Sequence, residues 1–371
     1  MIHKKICRYI ENLFNSADIR VDGPRPWDIQ VHNDEFLAKV FRGGSLALGE
    51  SYSDGWWDCE ALDQFFDRVF RARLNETVNP RSLLAILASL FINMQNRARS
   101  HLVVKKHYDL DVNLYLSFLD PYNQYTCGYF NDTEDLARAQ EQKLDLICRK
   151  LMVSPDDSVL DIGCGWGGFA RFAAERYGCR VTGITISDEQ LRYAREFCRG
   201  LPVEIVKSDY RDFRGVFDKV LVCGMIEHVG YKNHRKLMEM ACRSLKERGL
   251  FLLQTIGSNI SSRMGDPWIN KYIFPNGLIP SARQIAAAAE GLFTIEDWHF
   301  LGQHYDRTLM AWYGNFIKNW DRVKSAFDER FFRTWKYYFL SCAASFRAKV
   351  NDLWQVVFSK NGLSRDYACV R

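Results

Sequence analysis

Where the apolar run Val220-Leu221-Val222 ends, the chain continues Cys223-Gly224-Met225-Ile226-Glu227-His228-Val229-Gly230 and sets a carboxylate beside an imidazole. That pairing suits proton transfer, with Glu227 as a base and His228 either supporting it or capping the helix that follows. A second concentration of chemistry is Asp161-Ile162-Gly163-Cys164-Gly165-Trp166-Gly167-Gly168, which closes one strand pattern and opens a helical one. Glycines at such a turn let the backbone bend sharply and approach a ligand where a Cβ would collide.

Gly163, Gly165 and Gly168 satisfy the GxGxxG spacing of nicotinamide sites, a weak signal when it stands alone. Three features separate this loop from a dinucleotide site. Asp161 precedes the first glycine, the next strand pattern ends in Thr185-Ile186-Ser187 with no acid to grip a ribose, and the third ends at Asp209-Tyr210. A nucleoside without a pyrophosphate fits better, and the loop is read as an S-adenosylmethionine site. Asp161 and the glycines, Gly167 included, then lie beside the methionine part, Thr185, Ile186, Ser187 and Gln190 near the ribose, and Asp209 and Tyr210 against the adenine. Tyr125, Thr126, Trp166 and Arg211 join this cofactor set, and Cys164 packs inside the loop.

Positioning these groups calls for a sheet. From about residue 134 strand and helix patterns alternate: a long amphipathic helix TEDLARAQEQKLDLICRKLM, strand SVLDIG, helix GGFARFAAERYG ended by Gly178, strand RVTGITIS, and helix DEQLRYAREFCRG capped by Ser187 or Asp188. VEIVKSDY, DKVLVCG, a helix through KLMEMACRSL, and GLFLLQTIG continue the rhythm. This predicts an α/β fold with a doubly wound, mostly parallel sheet that binds ligands at the carboxyl ends of its strands.

Residues 1–80 show short apolar alternations broken by Gly and Pro, then an apparent helix ALDQFFDRVFRARL, and are read as a small amino-terminal domain. Residues 81–100 read as a linker helix, apolar at its centre and flanked by Arg81, Arg97 and Arg99, with Lys105 and Lys106 beyond. It is either an interdomain helix packed on the core or an interfacial one whose cations meet anionic headgroups. The longest apolar run, residues 83–94, falls short of the ~20 residues a membrane span needs. A net charge of +5 from 50 basic and 45 acidic residues argues against a dedicated nucleic-acid binder and permits an anionic surface. Eleven cysteines without a CxxC pair or metal-ligand spacing, in a chain whose start is unlike a signal peptide, point to a reducing cytoplasm and to no metal.

Taken together, HYDLDVNLYLSFLDPYNQYTCGYF, LDIGCGWGGFA, GITISDEQ, MIEHVG, DPWINKYIFPNGLIPS, EDWHFLGQHYDRTLMAWY and SFRAKVNDLWQVVFS resemble the cyclopropane-fatty-acyl-phospholipid synthases. The likeness runs in order through residues 101–371, the region read as the catalytic domain, and the first hundred residues match only in layout. It implies a class I S-adenosylmethionine methyltransferase fold with an aromatic-rich acyl pocket. It also implies methylene transfer to the cis double bond of a membrane phospholipid's acyl chain, by a homodimer working at the cytoplasmic face of the membrane.

An alkene is a poor nucleophile, so the sulfonium methyl must be held in line with it and kept dry. The cation left on the chain can be stabilised by aromatic faces, of which DPWINKYIF, HYDRTLMAWY and RTWKYYFLSC supply many. A base must then take a proton so that the ring closes. The resemblance implies that this base is bicarbonate, gripped by Cys127, Glu227, Tyr305, the backbone of Ile256 and the position of Gln254. Gln254 stands where that family commonly has His, and it keeps a donor and an acceptor but cannot become cationic. Either bicarbonate is held by neutral hydrogen bonds, or the chemistry has drifted to a methyl-branched or methylene chain. Cys342 occupies the place of a thiol once assigned to the family's active site, and since ring formation needs no covalent thiol it is read as a pocket residue. Two rivals remain: a methyltransferase acting on a small molecule or headgroup, and a membrane-surface binding protein with a relic pocket.

Overall fold

The structure is a computed structural model and describes residues 2–74, 112–363 and 367–371. The linker helix expected over residues 81–100 lies outside the described residues. The amino-terminal part is built from α1 (Ile2–Ser16), β1 (Gln30–Val31), α2 (Phe36–Ser53), β2 (Trp57–Asp58) and α3 (Leu62–Arg71). The two short strands pair antiparallel. The stretch VFRGGSLALGESYS, read from sequence as broken alternation, is helical. Gly44, at φ 55 and ψ −138, kinks α2 without ending it, and Ala47, Leu48 and Tyr52 lie on its buried side.

The rest runs α4 (Val112–Phe118), α5 (Leu136–Lys150), β3 (Ser158–Ile162), α6 (Gly168–Tyr177), β4 (Arg180–Thr185), α7 (Asp188–Phe197), β5 (Val203–Lys207) and β6 (Phe217–Cys223). There follow α8 (His234–Arg243), β7 (Leu245–Gly257), α9 (Pro267–Tyr272), α10 (Ala282–Ala289), β8 (Thr294–Phe300), α11 (Gly302–Val323), α12 (Glu329–Arg347) and β9 (Asp352–Ser359). The sheet order is β5-β4-β3-β6-β7-β9-β8. Strands β3 to β7 are parallel, as expected, and β9 returns antiparallel between β7 and β8.

Both faces of the sheet are covered, which is why its central strands read as nearly continuous apolar runs. Leu144, Ile147, Phe169 and Ala173 of α5 and α6 pack on one face, and Leu237, Met238, Ile285 and Ala288 of α8 and α10 on the other. Ile162 pairs with Ile184 and with Val222, so β3, β4 and β6 end level with one another. The strand order reverses at β3, and the crevice outside these ends is where such sheets take ligands. Gly178 ends α6 in the left-handed conformation and Ser187 caps α7 by accepting from Gln190 N–H.

Helices α11, α12 and α4 form an aromatic layer over this end of the sheet. Tyr305, Thr308, Leu309, Trp312 and Phe316 make one buried stripe at helical spacing along α11. Phe118 of α4 lies 5.3 Å from Phe339 and 6.1 Å from Trp312, ring centre to ring centre. The amino-terminal helices dock on the outer side of α12. There Arg333 donates to Tyr52 O at 2.7 Å and to Trp57 O at 2.9 Å, and Arg347 bridges Asp306 and Asp63.

Gly49 of α2 lies flat on Trp268 of α9, where a Cβ would stand 2.3 Å from the indole Cδ1. Gly49→Ala must push the two apart and should lower stability by about 1–3 kcal/mol, read as a reduced denaturation midpoint at unchanged slope.

Candidate active site

The glycine loop leaves β3 through Gly163 and Gly165, at φ +83 and +54, and enters α6 through Gly167 at φ +85. Gly163 N–H and Cys164 N–H both donate to Ile184 O, at 3.0 and 3.1 Å, which ties the loop to the end of β4. Gly165 has no atom within 4 Å of where its Cβ would lie, whereas a Cβ on Gly168 would stand 1.8 Å from Tyr122 O. One glycine borders open space and the other seals the loop against the segment ahead of α5. Asp161, 3% exposed, sits at the end of β3 and accepts no hydrogen bond among the described residues. Burial pushes its carboxyl up to about 7, against the pull of the Lys143 ammonium.

Across the crevice, Thr185 donates to Gln190 Oε1 at 2.9 Å while Ser187 N–H donates to Thr185 Oγ1 at 3.2 Å. Ile186 between them is half-buried. Asp209 accepts from Arg211 through both Nε, at 2.8 Å, and the backbone N–H, at 3.0 Å. Arg211 is thereby folded over the buried Tyr210 ring, 5.4 Å from its centre. An unpartnered buried carboxylate, a glycine cradle with room at Gly165 and a bank of hydroxyl and amide groups suit the ammonium, backbone and ribose parts of S-adenosylmethionine.

A second cluster lies beside the first, under the aromatic layer. Glu227, in a single 3₁₀ turn after β6, accepts from Ile256 N–H at 2.8 Å through Oε1, and its buried Oε2 has no partner among the described residues. Gln254 pairs with Cys223 on one side and Gln355 on the other across the sheet. Its Oε1 accepts from Gln355 Nε2 at 2.9 Å, and its own Nε2 is buried without a partner among the described residues. Tyr305, stacked on Phe346 at 4.6 Å, lies within electrostatic reach of Glu227, Cys127, Cys223 and Cys342. Burial raises the Glu227 carboxyl and holds the Tyr305 hydroxyl and the Cys127 thiol in their protonated forms. The cluster therefore offers an acceptor at Glu227 and neutral donors at Gln254 and Tyr305, with the Cys127 thiol beside them donating to Gly128 O at 3.1 Å. That set fits a small oxyanion carrying one hydroxyl, as bicarbonate does.

Comparison with known proteins gives the family of the chain. The family model for mycolic acid cyclopropane synthetase matches residues 95–356. The chain is 47% identical to the cyclopropane-fatty-acyl-phospholipid synthase of Escherichia coli (strain K12) over 361 residues, covering 96% of this chain and 94% of that one. The chain belongs to the cyclopropane synthetase family. The fold matches the cyclopropane synthase MmaA2 from Mycobacterium tuberculosis with TM-score 0.66 at 28% identity, over 70% of this chain and 98% of that one. The mycolic acid cyclopropane synthase CmaA1 complexed with SAH and CTAB matches equally, with TM-score 0.66, 28% identity and the same coverage. By fold and kinship this synthetase is an S-adenosylmethionine-dependent methyltransferase.

Several of the expected residues make contacts other than those their spacing suggested. His228 makes no hydrogen bond to Glu227 among the described residues. Its ring meets Phe274 edge-on at 5.6 Å, and loss of water brings the imidazole down to about 4, so it is neutral and apolar in its contacts. The support expected from His228 comes from Ile256 instead, whose N–H is taken up by Glu227 and is not free for an anion. Cys342 lies on α12 near Tyr305, and burial pushes its thiol up to about 12, away from the thiolate form. Trp166 packs between Tyr115 and Tyr193 at 6.0 and 5.4 Å. Cys164 is buried against Gly183, as its place in the loop suggested. Tyr125 donates to the Tyr338 hydroxyl at 3.0 Å, and Thr126 touches Gly224.

Four residues that the sequence reading passed over belong to the setting: Lys143, Asp120, Thr308 and Gln355. Lys143 left a signal, since it occupies an apolar position in the periodicity of its helix, with Leu136, Ala139, Leu144 and Ile147. Gln355 left none, because it acquires a role only through the pairing of β9 with β7.

The two glycines should respond differently to one added methyl. Gly165→Ala introduces left-handed strain worth about 1–2 kcal/mol into an otherwise open spot, so the protein should fold, while the added Cβ takes up ligand space in the cradle and should weaken S-adenosylhomocysteine binding about tenfold or more. Gly168→Ala drives a Cβ into a backbone carbonyl and should cost the fold itself. Calorimetric titration and thermal melts of the two variants check this contrast.

Proposed function

We propose that the protein transfers a methylene group from S-adenosylmethionine to the cis double bond of an unsaturated acyl chain in a membrane phospholipid and closes a cyclopropane ring, with bicarbonate as base. The observation that carries this reading is the pair of buried atoms without partners among the described residues, Glu227 Oε2 and Gln254 Nε2, in one cluster with the protonated Tyr305 and Cys127. The substrate class follows the E. coli relative, a cyclopropane-fatty-acyl-phospholipid synthase. When bound, S-adenosylmethionine supplies the one-carbon unit and bicarbonate takes up the proton released on ring closure.

The chain's own residues do the rest. Asp161 and the loop from Gly163 to Gly168 hold the methionine end, Thr185, Ser187 and Gln190 the ribose, and Tyr210 the adenine. Glu227, positioned by Ile256 N–H, receives the base's hydroxyl, and Gln254 and Tyr305 donate to its oxygens, with Cys127 joining them when its thiol turns from Gly128 O. Tyr125, Trp312, Phe274 and Tyr338, with ring centres 5.1–6.3 Å apart where they meet, exclude water and face positive charge with their rings. Dry aromatic walls raise the value of every remaining electrostatic contact.

The reading extends to organisation. Residues 1–80 would contact lipid or a second protomer, 81–100 would meet the membrane interface, and 101–371 would do the chemistry. The protein would act as a homodimer on the cytoplasmic face of the membrane, with phospholipid and no nucleic acid as partner. A second reading, a methyl-branched or methylene product, is favoured by one observation: Gln254 supplies a neutral donor in a place where a cation would hold an anion harder.

Mass spectrometry of acyl chains from a host without cyclopropane lipids tests both. Expression should add one CH₂ per modified chain with loss of the double bond; a branch, or retained unsaturation, would select the second reading. Gln254→Leu should raise the bicarbonate concentration for half-maximal rate by about tenfold or more, the loss of one donor to a charged group, and Gln254→His should lower it. Bicarbonate dependence unchanged in both variants would remove Gln254 from the anion pocket.

A further inference from the structure

One buried charge is left over. Lys143 projects from α5 between the two halves of the site and is 1% exposed. Its Nζ donates to Gln124 Oε1 and, at 2.9 Å, to Thr126 Oγ1. Neither acceptor is charged, and no carboxylate comes within ion-pair distance of it among the described residues. A buried ammonium without a counter-charge is costly and is retained only where something offsets it. Two carboxylates face it from beyond direct contact, Asp120 and Asp161. Asp120 is satisfied, with its two oxygens accepting from Gln124 N–H and Tyr122 N–H, both at 2.8 Å. Asp161 accepts nothing among the described residues, and it borders the glycine cradle.

We propose that Lys143 is a positioning residue for the cofactor: tied to Gln124 and Thr126, it supplies the counter-charge for the Asp161 carboxylate, so that this carboxylate can receive the ammonium group at the methionine end of S-adenosylmethionine. The inference rests on the assignment of Asp161 to that ammonium group. The bond network gives Lys143 its leverage on both halves of the site. Thr126 reaches the Cys223 thiol at the end of β6, Cys127 follows directly in sequence, and Gln124 lies under Gly168. Gln140, one turn earlier on α5, clamps the same segment without charge by donating to Thr126 O at 2.8 Å.

The groups facing Asp161 make the charge argument simple. Lys143 comes from α5, Cys164 from the loop, Cys198 from the end of α7 and Cys223 from β6. Burial pushes all three thiols up, Cys198 and Cys223 to about 11, and it lowers the Lys143 ammonium too, with Asp120 and Asp161 acting against that; among the described residues Lys143 is the cation that acts on Asp161. Burial alone favours the protonated acid, and Lys143 draws it back toward the carboxylate. Without that cation the carboxyl rises further and must shed a proton to bind the ligand.

The test is calorimetric affinity for S-adenosylhomocysteine between about pH 6 and about pH 8.5, a range that brackets the acid while the ligand's amine stays largely charged. The parent protein should bind with constant affinity above about 7 and lose about tenfold per unit below it. Lys143→Met should move that break upward, weakening binding about tenfold or more at neutral pH and recovering toward alkaline pH. Lys143→Arg keeps the charge and should keep the break even if geometry lowers affinity throughout, which preserves the test should the Met variant fail to fold. Gln140→Met loosens the segment alone and should weaken binding equally at every pH. A folded Lys143→Met with the parental break, or a shifted break in Lys143→Arg, overturns the role of Lys143. Asp161→Asn should abolish the break; an unchanged affinity there would instead overturn the Asp161 assignment.

Discussion

Charge in this protein works where water does not reach. Asp161, Glu227 and Lys143 are all buried at the carboxyl ends of the central strands, and none forms an ion pair within 4 Å among the described residues. In such surroundings each group shifts toward its neutral form, and any opposite charge that enters is held strongly because little screens it. The position is tenable only because the level ends of β3, β4 and β6 present backbone and side chains at one depth. The glycine loop then closes down on Ile184 O and fixes the floor.

The aromatic layer follows from the same constraint. A reaction between a sulfonium methyl and an alkene gains nothing from water, and rings supply bulk, a face complementary to positive charge and few polar atoms to satisfy. Helices α11 and α12 bring these rings over the strand ends, and α12 is in turn braced from outside by the amino-terminal helices. Arg333 and Arg347 make that brace polar. Both guanidinium groups are at least partly buried and satisfied by backbone carbonyls or carboxylates, so the join holds its geometry by directed bonds as well as by apolar contact.

Much of this was legible in the sequence, and the reason differs from element to element. The glycine loop, the Gly178 stop and the Ser187 cap are local devices, and local devices leave local signatures. Strand and helix alternation from residue 134 onward fixed the class of sheet. Helix α2 was missed because Gly43 and Gly44 imitate a turn, and only packing against α9 and α12 keeps the helix running through the kink. The reversed β9 was missed because an apolar strand carries no mark of direction. His228 was given to Glu227 on adjacency, yet in a 3₁₀ turn neighbouring side chains point apart, and the carboxylate finds Ile256 N–H from a different strand.

Gln254 shows how the pieces depend on one another. A histidine there could bring a positive charge to the anion pocket; glutamine cannot, and its carboxamide oxygen is already tied to Gln355, which directs the NH₂ group away from β9. The donors facing an anion are then all neutral, because burial keeps Tyr305 and Cys127 protonated and His228 uncharged. Lys143 is the buried cation near this pocket, acting on Cys127 and Cys223 from behind the Gln124–Cys127 segment. With glutamine at position 254, the positive potential that favours an anion must come from Lys143 and from the bound sulfonium itself. Under the function proposed above, cofactor and base would be coupled, each lowering the electrostatic cost of burying the other.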